Sequence, residues 1–174
     1  PNQTYTGSAI TVSPTATFNS TTLSETTDYT LSYTNNTDVG TANILFTGTG
    51  NFTGTKTVSF TIVKAKPLIT FDDITAVYGN PDFDLSATSP STGAFSYTID
   101  DSSIATVSGT TVTIQGAGAT IVTASQVSNT NYLAATATMT LTVNPADIAT
   151  ASVASIPNQT YTGSAITVSP TATF

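Results

Sequence analysis

Cysteine, histidine, arginine and tryptophan are all missing from this sequence. Without Cys there is no disulfide, no thiol nucleophile and no thiolate metal site; the absence of thiols is natural in a protein that meets an oxidising environment. Without His, the group most used for acid–base work near neutral pH is gone. Charge is scarce as well: 7% of residues are charged, against about 25% in an average soluble domain. The three cations are Lys56, Lys64 and Lys66, and the formal net charge is -7. Such a chain is poorly suited to neutralise a run of phosphates or an anionic bilayer, which argues against nucleic acid and against docking on an anionic membrane. No apolar run approaches the roughly 18 residues a spanning helix needs, so membrane insertion is not expected.

Threonine fills the gap, at roughly a quarter of the 174 residues. It is β-branched and tolerates water, so it suits the outer face of a sheet. Apolar residues alternate with it. Ile10, Val12, Pro14, Ala16 and Phe18 share one face, with Thr11, Ser13, Thr15 and Thr17 on the other. The same period recurs at Tyr29, Leu31 and Tyr33; at Ala42, Ile44 and Phe46; and at Val58, Phe60 and Ile62. It continues at Phe95, Tyr97 and Ile99, at Val112 and Ile114, and at Ala137, Met139, Leu141 and Val143. Alternation of this kind predicts half-buried antiparallel strands. Pro14 has no N–H to give a ladder, so its strand is expected at an edge or a bulge. Turn residues separate the runs at short intervals, among them Asn35–Gly40, Gly79-Asn80-Pro81 and Ser108-Gly109-Thr110. The fold class that follows is all-β, as tandem immunoglobulin-like antiparallel β-sandwiches.

The most informative feature is a repeat. PNQTYTGSAITVSPTATF occupies positions 1 to 18 and again 157 to 174, one period of 156 residues. A perfect eighteen-residue identity predicts a tandem array of near-identical units, with both ends of the sequence cutting through a continuing chain. Within the period, Asn51-Phe52 precedes a run ending at Val63, and Asn131-Tyr132 precedes a similar run ending at Val143. The organisation expected is a first domain at 1–64, a second at 65–145, and the start of the next repeat at 146–174. At about eight residues per strand and 3.3 Å per residue, two sandwiches stacked end to end would span about 70–80 Å.

The stretch DYTLSYTNNTDVGTANILFTGTGNFTGTKTVSFTIVKA, from Asp28 to Ala65, resembles the bacterial immunoglobulin-like repeats of the MBG type found in giant surface adhesins. TAVYGNPDFDLSAT and SNTNYLAATATMTLTV look like a related module. The SprB-like mobile adhesins of gliding Bacteroidetes are similar in style. The resemblance implies export, surface attachment and tandem arrays, and it brings no catalytic residue with it.

Candidate chemistry is thin. A Ser–Lys dyad or a Lys–Asn crosslink would have to draw on Lys56, Lys64 or Lys66, which read as solvent-facing. Six of the ten acids are Asp72, Asp73, Asp82, Asp84, Asp100 and Asp101. Calcium takes six to eight oxygen ligands, so Asp72, Asp73, Asp82 and Asp84, either side of the Gly-Asn-Pro turn, are the calcium candidates. The competing reading makes them solvated turn caps, and no cofactor is otherwise expected. Asn51-Phe52 and Asn131-Tyr132 could form a glycan platform, but their recurrence favours turns with an anchored ring. Tyr5 and Tyr161 are placed to pack where modules meet. The function expected is a spacer repeat of a secreted, cell-surface adhesin or filament, its partners being adjacent copies of the same repeat. The alternatives are a glycan- or protein-binding module acting by multivalency, and a filament in which a strand of one unit completes the sheet of the next.

Overall fold

The computed structural model describes residues 2–173. The described residues are all-β apart from a single 3-10 turn at Ile148–Thr150. It divides into two compact units. The first comprises Pro1–Thr70, Thr88–Phe95 and Ser125–Thr136; the second comprises Phe71–Ala87, Ser96–Ala124 and Ala137–Phe174.

Strands β1 (Asn2–Thr4), β2 (Thr17–Phe18), β3 (Thr21–Thr22), β4 (Tyr29–Thr34), β5 (Gly40–Gly48) and β6 (Thr55–Val63) come first along the chain. Four of them form a sheet in the order β1-β6-β5-β4. β4, β5 and β6 are antiparallel, with Ile44 opposite Tyr33 on one side and Val58 on the other. β1 lies parallel to β6, in the register Asn2↔Thr61, Gln3↔Ile62 and Thr4↔Val63. The buried centre is Ala42, Ile44, Phe60 and Ile62, the residues that alternation assigns to the inner face.

What covers that face is not a second ladder. Residues 5–16 belong to no strand, although burial alternates along Ile10–Ala16. Tyr5, Ile10 and Val12 pack on the core. The segment is held by bonds from the sheet's own side chains and loops. Tyr33 Oη donates to the Val12 carbonyl (2.8 Å), and Asn36 Nδ2 donates to the Ile10 carbonyl (3.0 Å). The strand expected around Pro14 is therefore an extended cover lying over the sheet. Proline's missing donor costs nothing there, because there is no ladder to interrupt. Only Thr17–Phe18 pairs as strand, with Thr21–Thr22 across a tight turn. The turn residues Asn19 and Ser20 both have positive φ, 47° and 67°, as a two-residue hairpin of the matching twist requires.

Next come β7 (Ile74–Val77), β8 (Phe83–Asp84), β9 (Phe95–Ile99), β10 (Ala105–Ser108), β11 (Thr111–Ile114), β12 (Gly118–Gln126) and β13 (Ala135–Asn144). They form a four-stranded sheet, β7-β13-β12-β9, and a three-stranded one, β10-β11-β8. The two share one core. Leu85, Ile104, Ala105 and Val112 meet Val122, Met139, Leu141 and Val143. This is a β-sandwich in the ordinary sense. β7 runs parallel to β13, with Ile74 opposite Leu141. Both four-stranded sheets thus open with a short strand parallel to the closing one, and β6 and β13 are the two runs that the internal repeat aligns.

β14 (Ser152–Val153) and β15 (Ala172–Thr173) form a small antiparallel pair. Every residue from 157 to 173 is exposed.

Candidate functional site

The acidic residues do not gather. Among the described residues no three carboxylates come close enough to hold a metal ion. The Gly79-Asn80-Pro81 turn separates β7 and β8, which belong to different sheets, so Asp73 and Asp84 are carried apart. Asp73 Oδ1 accepts from the Thr140 amide (2.6 Å). Asp84 Oδ1 accepts from the Thr111 hydroxyl (2.8 Å) and the Thr110 hydroxyl (3.2 Å). Asp72 and Asp82 are exposed, as are Asp100 and Asp101. Asp101 closes a local turn, its Oδ1 accepting from the Ser103 hydroxyl (2.6 Å) and amide (2.9 Å). Those two bonds, the hydroxyl first, hold its pKa below the ordinary carboxylate value.

The densest polar arrangement is elsewhere in the first unit, where the loop 127–134 meets residues 38–39 and 64–65. Asn131 Oδ1 accepts from the Val39 amide (3.0 Å), and its Nδ2 donates to Asp38 (2.9 Å). The Ala65 amide donates to the Asn131 carbonyl (3.0 Å), and the Leu133 amide returns a bond to the Ala65 carbonyl (2.8 Å). Asn129 Oδ1 accepts from the amides of Asn131 and Tyr132, which fixes the turn. Lys64 Nζ donates to the Asn129 carbonyl at 2.6 Å. The rings of Tyr132 and Tyr5 meet nearly perpendicular, 5.3 Å between centres. The sequence reading put Lys64 in solvent. It is half-buried, and its ammonium is committed to a carbonyl. No pattern in the sequence could show this, because the partners lie 65 or more residues apart.

Asn51-Phe52 is the lesser partner of the pair. Asn51 is exposed, while the Phe52 amide closes a turn on the Thr49 carbonyl (3.0 Å) and its ring meets Phe18 edge-on at 5.5 Å. Both aromatic rings are thus met by an aromatic of the duplicated segment, Phe18 in one case and Tyr5 in the other. Beside Phe52 an open cleft of about 410 Å³ is lined by Tyr29, Phe46, Lys56 and Asp28 among others. Lys56 and Lys66 are exposed. No helix among the described residues is long and apolar enough to cross a membrane.

No family model matches the chain, and no curated protein does. The likeness to MBG-type repeats therefore stays one of sequence motif. Among solved structures the chain is similar to a protocadherin gammaB7 EC3-6 cis-dimer structure, at 15% identity and a TM-score of 0.41, over 78% of this chain and 43% of that one. It is also similar to surface layer protein SbsC, domains 4-9, at 15% identity and a TM-score of 0.38, over 88% of this chain and 28% of that one. The chain spans less than half the length of either.

Proposed function

We propose that this chain is a spacer repeat of a secreted, cell-surface adhesin or filament of the MBG-like kind, holding a distal adhesive region away from the cell. The observation that carries this reading is the eighteen-residue identity at a period of 156, with the first copy built into a sheet. A spacer needs length, and length comes from reusing one unit. A unit with a specific chemical task would show it in its polar groups. Here the most elaborate of them, Asn129, Asn131 and Lys64, are engaged with backbone and with one another. The partners in this reading are adjacent copies of the same repeat, and the chain catalyses nothing.

The second reading, a module that binds a surface glycan or protein, draws on the cleft beside Phe52, whose aromatic floor of Tyr29 and Phe46 could stack a sugar ring. A glycan array and a cell-adhesion assay on the immobilised chain separate the two. The spacer reading expects signal no higher than an unrelated acidic β-protein. Saturable binding abolished by Phe52→Ala would replace it with the binding module.

A further inference from the structure

The two four-stranded sheets are built on one frame. Their orders, β1-β6-β5-β4 and β7-β13-β12-β9, match strand for strand. Their parallel ladders end alike, with Thr4 opposite Val63 and Val77 opposite Asn144. The next amide then donates to that closing residue: Tyr5 to the Val63 carbonyl at 2.9 Å, and Tyr78 to the Asn144 carbonyl at 2.8 Å. β5 and β12 are nine residues each and open on a glycine of matching φ, 148° at Gly40 and 150° at Gly118. In this frame Tyr78 corresponds to Tyr5, Gly116 and Ala117 to Asp38 and Val39, and Pro145 and Ala146 to Lys64 and Ala65.

In the first unit these positions form a seat, and the loop 127–134 fills it through five hydrogen bonds. Three use only backbone groups of the seat, which almost any residue supplies. The Val39 amide donates to Asn131 Oδ1, the Ala65 amide to the Asn131 carbonyl, and the Leu133 amide to the Ala65 carbonyl. The other two use the side chains of Asp38 and Lys64. In the second unit the corresponding residues, Tyr78, Gly116, Ala117, Pro145 and Ala146, line an open cavity of about 550 Å³. Among the described residues the amides of Ala117 and Ala146 have no acceptor. The sequence places Asn before an aromatic residue at two positions, 51–52 and 131–132. Asn131 stands four residues before β13, and Asn51 stands four before β6. Asn51 is exposed.

We infer that this cavity is the docking site for the loop Thr49–Gly54 of the following copy of the unit. The loop enters it as 127–134 enters the first seat. Asn51 Oδ1 of that copy accepts from the Ala117 amide, and its backbone carbonyl accepts from the Ala146 amide. Its Thr53 amide donates to the Ala146 carbonyl, and its Phe52 is brought to Tyr78 as Tyr132 is to Tyr5. The occupant is specified by chemistry. A lone backbone donor beside a donor–acceptor pair calls for a side-chain amide on an extended backbone, with a ring next to it. Gly116 brings no carboxylate and Pro145 no ammonium, so two of the five bonds are missing and this seat is the weaker one. The two Asn-aromatic pairs then have one task, which is to join each sandwich to the one before it. The inference rests on the tandem array of the spacer reading and gives that array its joint.

The test is a two-unit chain, the full sequence continued from Phe174 into a second copy of residues 19–174, which keeps the period of 156. Amide hydrogen exchange is followed at Ala117 and Ala146 of the first copy, with the bonded amides of Val39 and Ala65 as references. Both are expected to slow at least about fivefold relative to the single chain. Asn51→Ala in the second copy removes one acceptor at an exposed position, and is expected to return Ala117 to its single-chain rate. The same substitution in the first copy is expected to leave both rates as they were. Rates at Ala117 and Ala146 that do not respond to the second copy overturn the proposal. So does slowing at Ala117 that survives the loss of the second Asn51 side chain. Either result leaves the spacer reading standing, whereas glycan binding would replace that reading without altering these rates.

Discussion

At the scale of single residues, stability is concentrated in groups that look unremarkable in the sequence. Asn131 satisfies the Val39 amide and an Asp38 oxygen with one side chain. Asn131→Ala leaves a half-buried amide without its acceptor, and is expected to cost about 1–3 kcal/mol in urea denaturation. Asn51→Ala, at the exposed member of the repeated pair, is expected to stay within about 0.5 kcal/mol. Equal costs at the two sites would contradict the assignment. Gly93 is a second such position. A Cβ there would sit 2.0 Å from the Val127 carbonyl oxygen, so Gly93→Ala must move backbone. Its melting midpoint should fall by well over the 4–8 °C that about 1 kcal/mol produces in a small domain. Asp101 gives a pH-dependent case. Its carboxyl titrates lower in the folded chain than the roughly 3.9 expected unfolded. Its contribution is thus present above about pH 4 and lost as pH falls through the folded value. Asp101→Asn should be less stable than the native chain at neutral pH, with the gap closing below about pH 4. A gap that widens in acid would contradict the bond to Ser103. Read as caps, Asp73 and Asp84 also predict that millimolar calcium leaves the melting midpoint unmoved; a rise would restore the calcium reading.

At the scale of elements, alternation identified faces better than it identified ladders. The inner residues of β4, β5, β6 and β13 were all legible, because apolar residues recur at every second position, with mostly Thr, Ser and Asn between them. The same alternation marked the inward side chains of Ile10–Ala16 correctly but misread their pairing, and it put Phe18 on the inner face although that residue is 56% exposed. A segment lying across a sheet must also turn every second side chain inward. β1 and β7 escaped notice because three or four residues are too few for a period to show. The loop 127–134 was illegible for a different reason: its partners are distant in sequence and its bonds are mostly to backbone. Strand cores carry their own prediction. Ile62→Ala and Leu141→Ala, at 1% and 0% exposure, are expected to cost about 2–5 kcal/mol each. Ile166→Ala, chemically alike but exposed, should cost almost nothing.

At the scale of the whole molecule, the perfect repeat is the feature that both sequence and structure turn on. The first copy of the eighteen-residue segment covers the core of the first sheet, and in the second copy every residue from 157 to 173 is exposed. Under the proposed spacer role, a unit reused this way adds length without adding chemistry. Amide hydrogen exchange on the native chain at low concentration tests this account most directly, because the two copies are internal controls with the same intrinsic exchange rates. The amides of Tyr5 and Ile10, bonded to Val63 and Asn36, are predicted to be protected at least a hundredfold, about 2.7 kcal/mol. Those of Tyr161 and Ile166 are predicted to exchange at nearly the unprotected rate. Equal protection in the two copies would contradict it.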